Sequence, residues 1–395
     1  MKRILILGGG VYQAPLIRRA VEKGYWVAVA SMKKDDPGMG KTDESWEVDI
    51  TDSEEILKLV RKHNIEGVTS TGTEYSIPTI AYLHEHGGLP GISLETAKIS
   101  TNKILAQNRY AEKGVPIARF KRVRTLGDAM TAAGEIGFPV VVKAPDSSGS
   151  RGITVVSEPS QIEAALATAM RVSRKGEVLI EEQLTGVEFG AQAVVLNGEV
   201  EYCLCHNDTV TPPPITVPIG HSLPFGLPDE IRSETQRLCS AAVKALNIKD
   251  ALCNVDLIAT SGGVRLFEIG ARIGATGLPE IVNLHHGINL YDVALELAMG
   301  ECPEIEPSSG PAVASLLIKA PCTGKLVRCN IPEEVAQMEG VVEVNFDYPA
   351  GADVREFATG PDRIGDILVT ADDAVSAERL AEQVTAMLEI EVEPA

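Results

Sequence analysis

Lys143 ends an apolar run, Phe138-Pro139-Val140-Val141-Val142, and a loop of small hydroxyl residues and glycines, Ser147-Ser148-Gly149-Ser150-Arg151-Gly152, follows almost at once. Glycine lets backbone N–H groups close over phosphate oxygens with no Cβ in the way. The lysine adds a mobile point charge within reach of the same oxygens. The pattern points to a nucleoside triphosphate and chemistry at a phosphoryl group, although a polar hairpin with an exposed lysine has the same composition.

Two further constellations bear on that choice. Glu181 closes the run Val178-Leu179-Ile180, and Glu188 follows beyond Thr185-Gly186. A carboxylate at a strand end can accept from an adenine amino group, and the second from ribose hydroxyls. Asp256 and Glu268 lie on either side of a Ser261-Gly262-Gly263 turn, in Asn254-Val255-Asp256 and Leu266-Phe267-Glu268. Strand alternation aims both carboxylates at one face. Mg2+ prefers hard oxygens and keeps few protein ligands, so such a pair meeting phosphate oxygens suits it. A cross-strand salt bridge to the nearby Arg272 would use the same residues.

Two commoner phosphate motifs fail. Gly8-Gly9-Gly10 opens like a dinucleotide fingerprint, but Gln13 stands where the third glycine belongs. Gly40-Lys41-Thr42 resembles the end of a Walker loop, yet its first glycine would have to be Asp35. No Ser/His/Asp or Cys/His constellation stands out either.

Composition narrows the partners. The formal net charge of −19 and the 4% aromatic content disfavour a nucleic acid, which draws on basic surfaces and stacking rings. An anionic ligand must then meet a local cluster, for which Lys103, Lys143, Arg151 and Arg272 are candidates. Seven cysteines with no C-x-x-C pair fit reduced thiols in a cytoplasmic protein better than a disulfide or zinc framework. The opening residues lack the apolar core and cleavage site of a signal peptide, and no apolar run approaches the ~20 residues that span a bilayer.

These residues need a scaffold, and the chain's 395 residues allow more than one domain. Strands at 3–7, 25–30 and 66–70 alternate with helices at 14–23 and 53–63, which implies a parallel α/β unit over 1–95. Next come helices at 101–113, 126–136 and 159–170, with strands at 138–143, 153–156 and 177–181. Asn197-Gly198 centres a hairpin over 187–205. Residues 208–228 carry six prolines and read as a long surface loop. A helix at 229–246, strands at 252–259 and 264–269 and a helix at 288–299 follow, then short strands (312–318, 341–344, 366–370) and a terminal helix at 374–389.

Taken in order, Lys143-Ala-Pro, SSGSRG, EEQLTGVE (181–188), NVDLI (254–258) and FEIGAR (267–272) resemble the ATP-grasp ligases. Within them the chain looks most like the L-amino-acid (dipeptide) ligase and carbamoyl-phosphate-synthetase-like branch, through Gly220-His221-Ser222-Leu223-Pro224 and the stretch 267–300. The resemblance implies an α/β and α+β protein. Its N-terminal Rossmann-like domain would span 1–95. A two-lobed ATP-grasp domain would follow over 96–306, with its lid at about 120–185, and a small C-terminal domain over 307–395.

It also implies ATP and Mg2+ (or Mn2+) as cofactors. Lys103, Lys143, Ser148, Gly149, Ser150 and Gly152 would hold the phosphates. Glu181 and the backbone near Leu184 would meet adenine, and Glu188 the ribose. Asp256 and Glu268 would hold metal, while Arg272 would steady phosphoryl charge or anchor a substrate carboxylate. His221 is a candidate substrate contact, or the cap of a turn. The family's metal motif is Glu-x-Asn-x-Arg, and here its Asn position is Gly270. The expected reaction joins a carboxylate to an amine, with amino acids as substrates, through an acyl phosphate. A carboxylase or an enzyme acting on a nucleotide precursor is the alternative within the family, and a non-catalytic nucleotide-binding protein the alternative outside it. Small molecules, rather than nucleic acid or membrane, are the expected partners, with a homodimer common among look-alikes.

Overall fold

The computed structural model describes residues 1–40, 42–145, 152–212 and 217–394. Four short strands open the chain: β1 (Arg3–Leu7), β2 (Trp26–Ser31), β3 (Glu44–Glu47) and β4 (Gly67–Thr69). They form a parallel sheet in the order β3-β2-β1-β4, flanked by α1 (Ala14–Glu22), α2 (Ser53–His63) and α3 (Ile77–Gly87). Helices cover both faces, so β1 reads as a continuous hydrophobic run. Helices α4 (Leu94–Ser100) and α5 (Lys103–Lys113) lead away from this unit.

A separate antiparallel sheet follows, ordered β5-β8-β6-β7. It comprises β5 (Phe120–Val123), β6 (Val140–Lys143), β7 (Ile153–Val156) and β8 (Val178–Glu182). Helices α6 (Leu126–Ile136) and α7 (Ile162–Val172) pack on one face around Val140, Val142 and Ile180. Alternation along β6 therefore sends Lys143 to the opposite, open face.

The third sheet has eight strands in the order β13-β12-β9-β10-β11-β14-β18-β16. Its strands are β9 (Gly186–Leu196), β10 (Glu199–Val210), β11 (Pro218–Leu223), β12 (Ala251–Thr260), β13 (Gly263–Gly270), β14 (Ala312–Lys319), β16 (Val341–Phe346) and β18 (Arg363–Ala371). Asn197 and Gly198 join β9 to β10 with φ of 52° and 83°, the positive values a tight hairpin turn needs. One face packs on α8 (Asp229–Leu246), with Cys239, Val243, Ala193 and Val255 at its centre. The other meets α9 (Leu278–His286) and α10 (Leu290–Ala298) through Val194, Leu252, Ile281 and Leu295. A small sheet, β17-β15-β19, stands beside the last strands: β15 (Gly324–Asn330), β17 (Asp353–Val354) and β19 (Glu389–Pro394). The short helix α11 (Glu333–Ala336) and the longer α12 (Ala374–Met387) complete the chain.

Residues 208–228 are not the surface loop that their prolines suggested. β10 continues to Val210, and β11 sits inside the large sheet, paired with Asp208 and its neighbours on one side and with β14 on the other. Gly220, His221, Ser222 and Leu223 are buried. Pro218 is tolerated because it is the first residue of its strand, and the register shift at Thr209/Val210 absorbs the irregularity. The terminal helix stops at Met387, where the chain turns into β19. α3, α9 and the edge strand β3 also lack the periodicity that would announce them in sequence.

The distal strands are tied by a buried ion pair. Arg363 of β18 donates from Nε and Nη2 to both oxygens of Asp347, at 2.8 and 2.9 Å, and its ring-facing side lies over Tyr12 of the N-terminal unit. Arg363→Met leaves Asp347 buried without its cation, so we expect a loss of about 3–5 kcal/mol, read from urea denaturation midpoints. A loss under about 1 kcal/mol would show that the pair is dispensable.

Candidate functional site

The hairpin register of β12 and β13 sets Asp256 directly opposite Glu268. Two carboxylates on one face, at adjacent positions, repel each other unless a cation intervenes. Asp256 is reachable from the cleft but walled by protein elsewhere. That enclosure, together with Glu268 and Asp208, pushes its carboxyl up to about 6. Lys103 supplies one cation through an ion pair of its Nζ with Glu268. Its placement follows from local structure: the Asn102 side chain caps α5 by accepting from Leu105 N, and Lys103 N donates to Pro145 O. Burial opposes the charge on Lys103, but Glu268, Glu74 and Asp256 hold its pKa above the ordinary value.

Glu74 is the residue that sequence reading missed. It lies in the segment between β4 and α3, which Thr71 and Gly72 pin to Ile273 through a parallel bridge and a 3.3 Å hydrogen bond. Arg272 Nη2 donates to Glu74 Oε1 at 2.5 Å, and the guanidinium holds that carboxyl below its usual range. A Cβ built on Gly270 would meet Glu74 Oε1 at 3.3 Å. The side-chain oxygen that Asn would bring to this position is therefore matched by one arriving from 196 residues earlier in the chain. Nothing local to Glu74 signals this, because its partner Arg272 lies 198 residues further along the chain. Glu74, Asp256 and Glu268 against Lys103 and Arg272 leave one net negative charge, a hard-oxygen setting suited to Mg2+.

A polar chain backs this cluster. Gln13, buried beneath the first glycine turn, accepts from Gly10 N at 3.0 Å and donates to Thr71 O. Thr71 Oγ1 reaches Gly274 O, Gly274 N donates to Gln192 Oε1, and Gln192 Nε2 donates to Asn254 Oδ1 at 2.7 Å. Asn254 then donates to Asp256 Oδ1 at 2.9 Å. Gln13 thus occupies the turn that resembled a dinucleotide site.

Across the cleft, Lys143 Nζ pairs with Glu181 at 2.6 Å, and Gln107 Nε2 donates to the other oxygen of the same carboxylate. Glu181 is buried, Leu184 is half-buried in the link between β8 and β9, and Glu188 is exposed near the start of β9. Gly152 takes φ of 74°, and a Cβ there would come within 2.3 Å of Val172, so close packing on α7 requires glycine. Ser148, Gly149, Ser150 and Arg151 lie outside the described residues. His221 is on β11, buried, with Nδ1 2.7 Å from Asp208 Oδ1. The two faces thus gather Lys103, Asp256, Glu268 and Arg272 on the large sheet side and Lys143 with Glu181 on the smaller sheet.

Residues 102–304 match the family model described as carbamoyl-phosphate synthase L chain, ATP binding domain, and residues 317–393 match L-amino acid ligase C-terminal domain 2. An L-arginine-specific L-amino acid ligase of Bacillus subtilis is 25% identical over 76% of this chain and 74% of its own length. A formate-dependent phosphoribosylglycinamide formyltransferase of Wolinella succinogenes is 22% identical over 96% and 95% of the two chains. The crystal structure of an L-amino acid ligase from Bacillus licheniformis superposes with a TM-score of 0.85 at 22% identity, covering 100% of this chain and 99% of the other.

A divalent ion held by Asp256 would need its carboxylate form, so its affinity should fall about tenfold per pH unit below about 6. Mn2+ titrations followed by electron paramagnetic resonance would check this, and Asp256→Asn should flatten the dependence.

Proposed function

From the premise that the chain belongs to the ATP-grasp ligases, the family of the carbamoyl-phosphate synthase L chain ATP-binding domain, we propose that it makes an amide bond to an amino acid through an acyl phosphate. ATP and Mg2+ are the cofactors of this ATP-dependent C–N ligase. The observation that carries the finer reading is the facing pair Asp256 and Glu268, with Lys103, Arg272 and Glu74 around it. That set serves charge neutralisation at a phosphoryl group and offers no nucleophilic side chain.

Asp256 and Glu268 would hold the metal, with Glu74 Oε1 supplying the oxygen absent at Gly270. Mg2+ bound there neutralises phosphate oxygens and so lowers the charge that a substrate carboxylate must approach. A carboxylate oxygen attacks the γ-phosphorus and the bond to ADP breaks, leaving an acyl phosphate. An amine nitrogen then bonds to the acyl carbon and inorganic phosphate departs. Lys103 and Lys143 neutralise the phosphates, Glu181 keeps Lys143 oriented across the cleft, and Arg272 faces the transferring group or the substrate carboxylate. Glu188 and the Leu184 backbone complete a nucleoside site at the junction of the two sheets. L-amino acids are favoured as substrates because residues 317–393 match the model of L-amino acid ligase C-terminal domain 2.

Incubation with ATP, Mg2+, hydroxylamine and pools of amino acids should yield ADP and hydroxamate in equal amounts. ADP release that depends on bicarbonate instead would point to a carboxylase, and tight ATP binding with no ADP from any carboxylate would sink the ligase reading. Lys143→Met should raise KM for ATP at least ~10-fold or abolish turnover, in line with the loss of one charge-assisted contact. Glu74→Gln should weaken the binding of Mn2+ in the presence of ADP, and adding Gly270→Asn should restore it. Unchanged Mn2+ binding in Glu74→Gln would remove Glu74 from the metal site.

A further inference from the structure

Outside the charged cluster just described, the same face of the large sheet carries a second one, built on three residues of β10 and β11. His206 Nδ1 lies 2.9 Å and His221 Nδ1 2.7 Å from a single acceptor, Asp208 Oδ1. The two imidazole rings meet edge to face at 5.0 Å between centroids. His206 and His221 are 2% and 5% exposed, so Asp208 holds both rings in place away from bulk water. The carboxylate takes the Nδ1–H of each ring, which fixes both histidines as the tautomer with a bare Nε2.

The location connects this cluster to the reaction. His206 and Asp256 are both register partners of Gly190, on its two sides. A Cβ on Gly190 would lie 2.3 Å from His206 Cε1, so the glycine makes room for that ring beside the metal-ligand row. His221 pairs in register with Ser315 of β14, and Ser315 lies under Gly277, the residue that leads from the Arg272 loop into α9. His221 thus stands where the Arg272 loop returns to the sheet, beyond Asp256 as seen from β13. Its Nε2 makes no hydrogen bond among the described residues.

Resting on the ligase reading, we propose that His221 is the general base of the second half-reaction, accepting the proton of the incoming ammonium at Nε2, with Asp208 and His206 as positioning residues. An α-amino group is mostly protonated at neutral pH and cannot attack while its lone pair is held in an N–H bond. The proton passes from nitrogen to Nε2, the freed lone pair bonds to the acyl carbon, and the carbonyl π electrons move to oxygen. As the carbonyl re-forms, the C–O bond to phosphate breaks and the imidazolium hands its proton to the departing phosphate. The ring, neutral again, then takes the second proton from the new amide nitrogen and releases it to solvent. Asp208 stabilises the imidazolium, the arrangement by which a carboxylate supports a histidine base.

The surrounding charges agree with that role. Burial lowers the pKa of His221, against the pull of Asp208, so the ring is neutral and able to accept at neutral pH. Burial works against the Asp208 charge too, yet the two imidazoles hold it well below the usual carboxylate range. Of the other elements packed on β11, α9 contributes Glu280, which is bonded to Tyr291, and α12 contributes Glu378, which Ser222 Oγ engages. The remaining groups acting on His221 are His206 and Asp208 alone.

The test compares hydroxylamine, which is unprotonated at neutral pH, with amino acids as acceptors of the same acyl group. In His221→Gln the rate with amino acids should fall by about 100–10,000-fold, and at least ~100-fold further than the rate with hydroxylamine. The residual amino-acid rate should climb with pH as free amine accumulates, and Asp208→Asn should show the same split more weakly. A parallel loss with both acceptors, or no loss, would overturn the assignment. Nitrogen-15 spectra of the wild-type protein give a readout independent of turnover: His221 must carry its proton on Nδ1, and an Nε2–H tautomer would refute the base. Wild-type protein that forms no hydroxamate at all would overturn the ligase reading and this inference with it, whereas hydroxamate with a parallel loss overturns the inference alone.

Discussion

Everything at the centre of this molecule depends on two carboxylates that face each other across a β-hairpin. Asp256 and Glu268 are register partners, and neither can move away without breaking the β12–β13 ladder. Their repulsion is met by Lys103 on one side and by Arg272 nearby, yet Glu74 adds a third negative charge rather than relieving the first two. A folded protein that keeps an excess of acid in an enclosed cleft holds a standing demand for a cation. That demand is the physical link between the sheet and its chemistry.

The eight-stranded sheet gives this arrangement its stiffness. Because β11 joins β10 to β14, strands from the middle of the chain and strands beyond residue 311 share one hydrogen-bonded ladder. The helices on its two faces come from opposite directions, α8 on one and α9 with α10 on the other. The N-terminal unit then reaches the cluster by a polar route, from Gly10 and Gln13 through Thr71, Gly274, Gln192 and Asn254 to Asp256. Each link satisfies a donor or acceptor that burial would otherwise leave unpaired, so the route couples the placement of the N-terminal unit to the orientation of the Asp256 carboxylate.

The two charged clusters on this face divide the labour of the proposed reaction. Phosphoryl transfer needs positive charge and hard oxygens near Asp256, whereas amine attack needs a neutral acceptor for a proton. The Asp208 carboxylate keeps two imidazoles in one tautomer and so supplies the second need a short distance along the same sheet. Lys143 and Glu181 sit on a separate, smaller sheet with its own core, which fits a part that can move against the rest when nucleotide enters.

Much was legible before any coordinates. The ordered motifs around Lys143, Glu181, Glu188, Asp256, Glu268 and Arg272 carried the resemblance to the family, and strand alternation in the sequence already aimed Asp256 and Glu268 at one face. Asn197-Gly198 announced its turn through a backbone preference that is purely local. Pro218 and its neighbours misled for the opposite reason: proline content reports local conformation, while β11 is a strand only because β10 and β14 lie on either side to receive it. Glu74 was invisible because its meaning lies in the space over Gly270, and the sequence names only the missing oxygen there. Sequence by itself thus determined the chemical parts and the direction each strand presents them, since those follow from near-neighbour sterics. Only the tertiary structure decided which parts share a cleft, because hydrogen-bond registers and burial join residues that the chain keeps far apart.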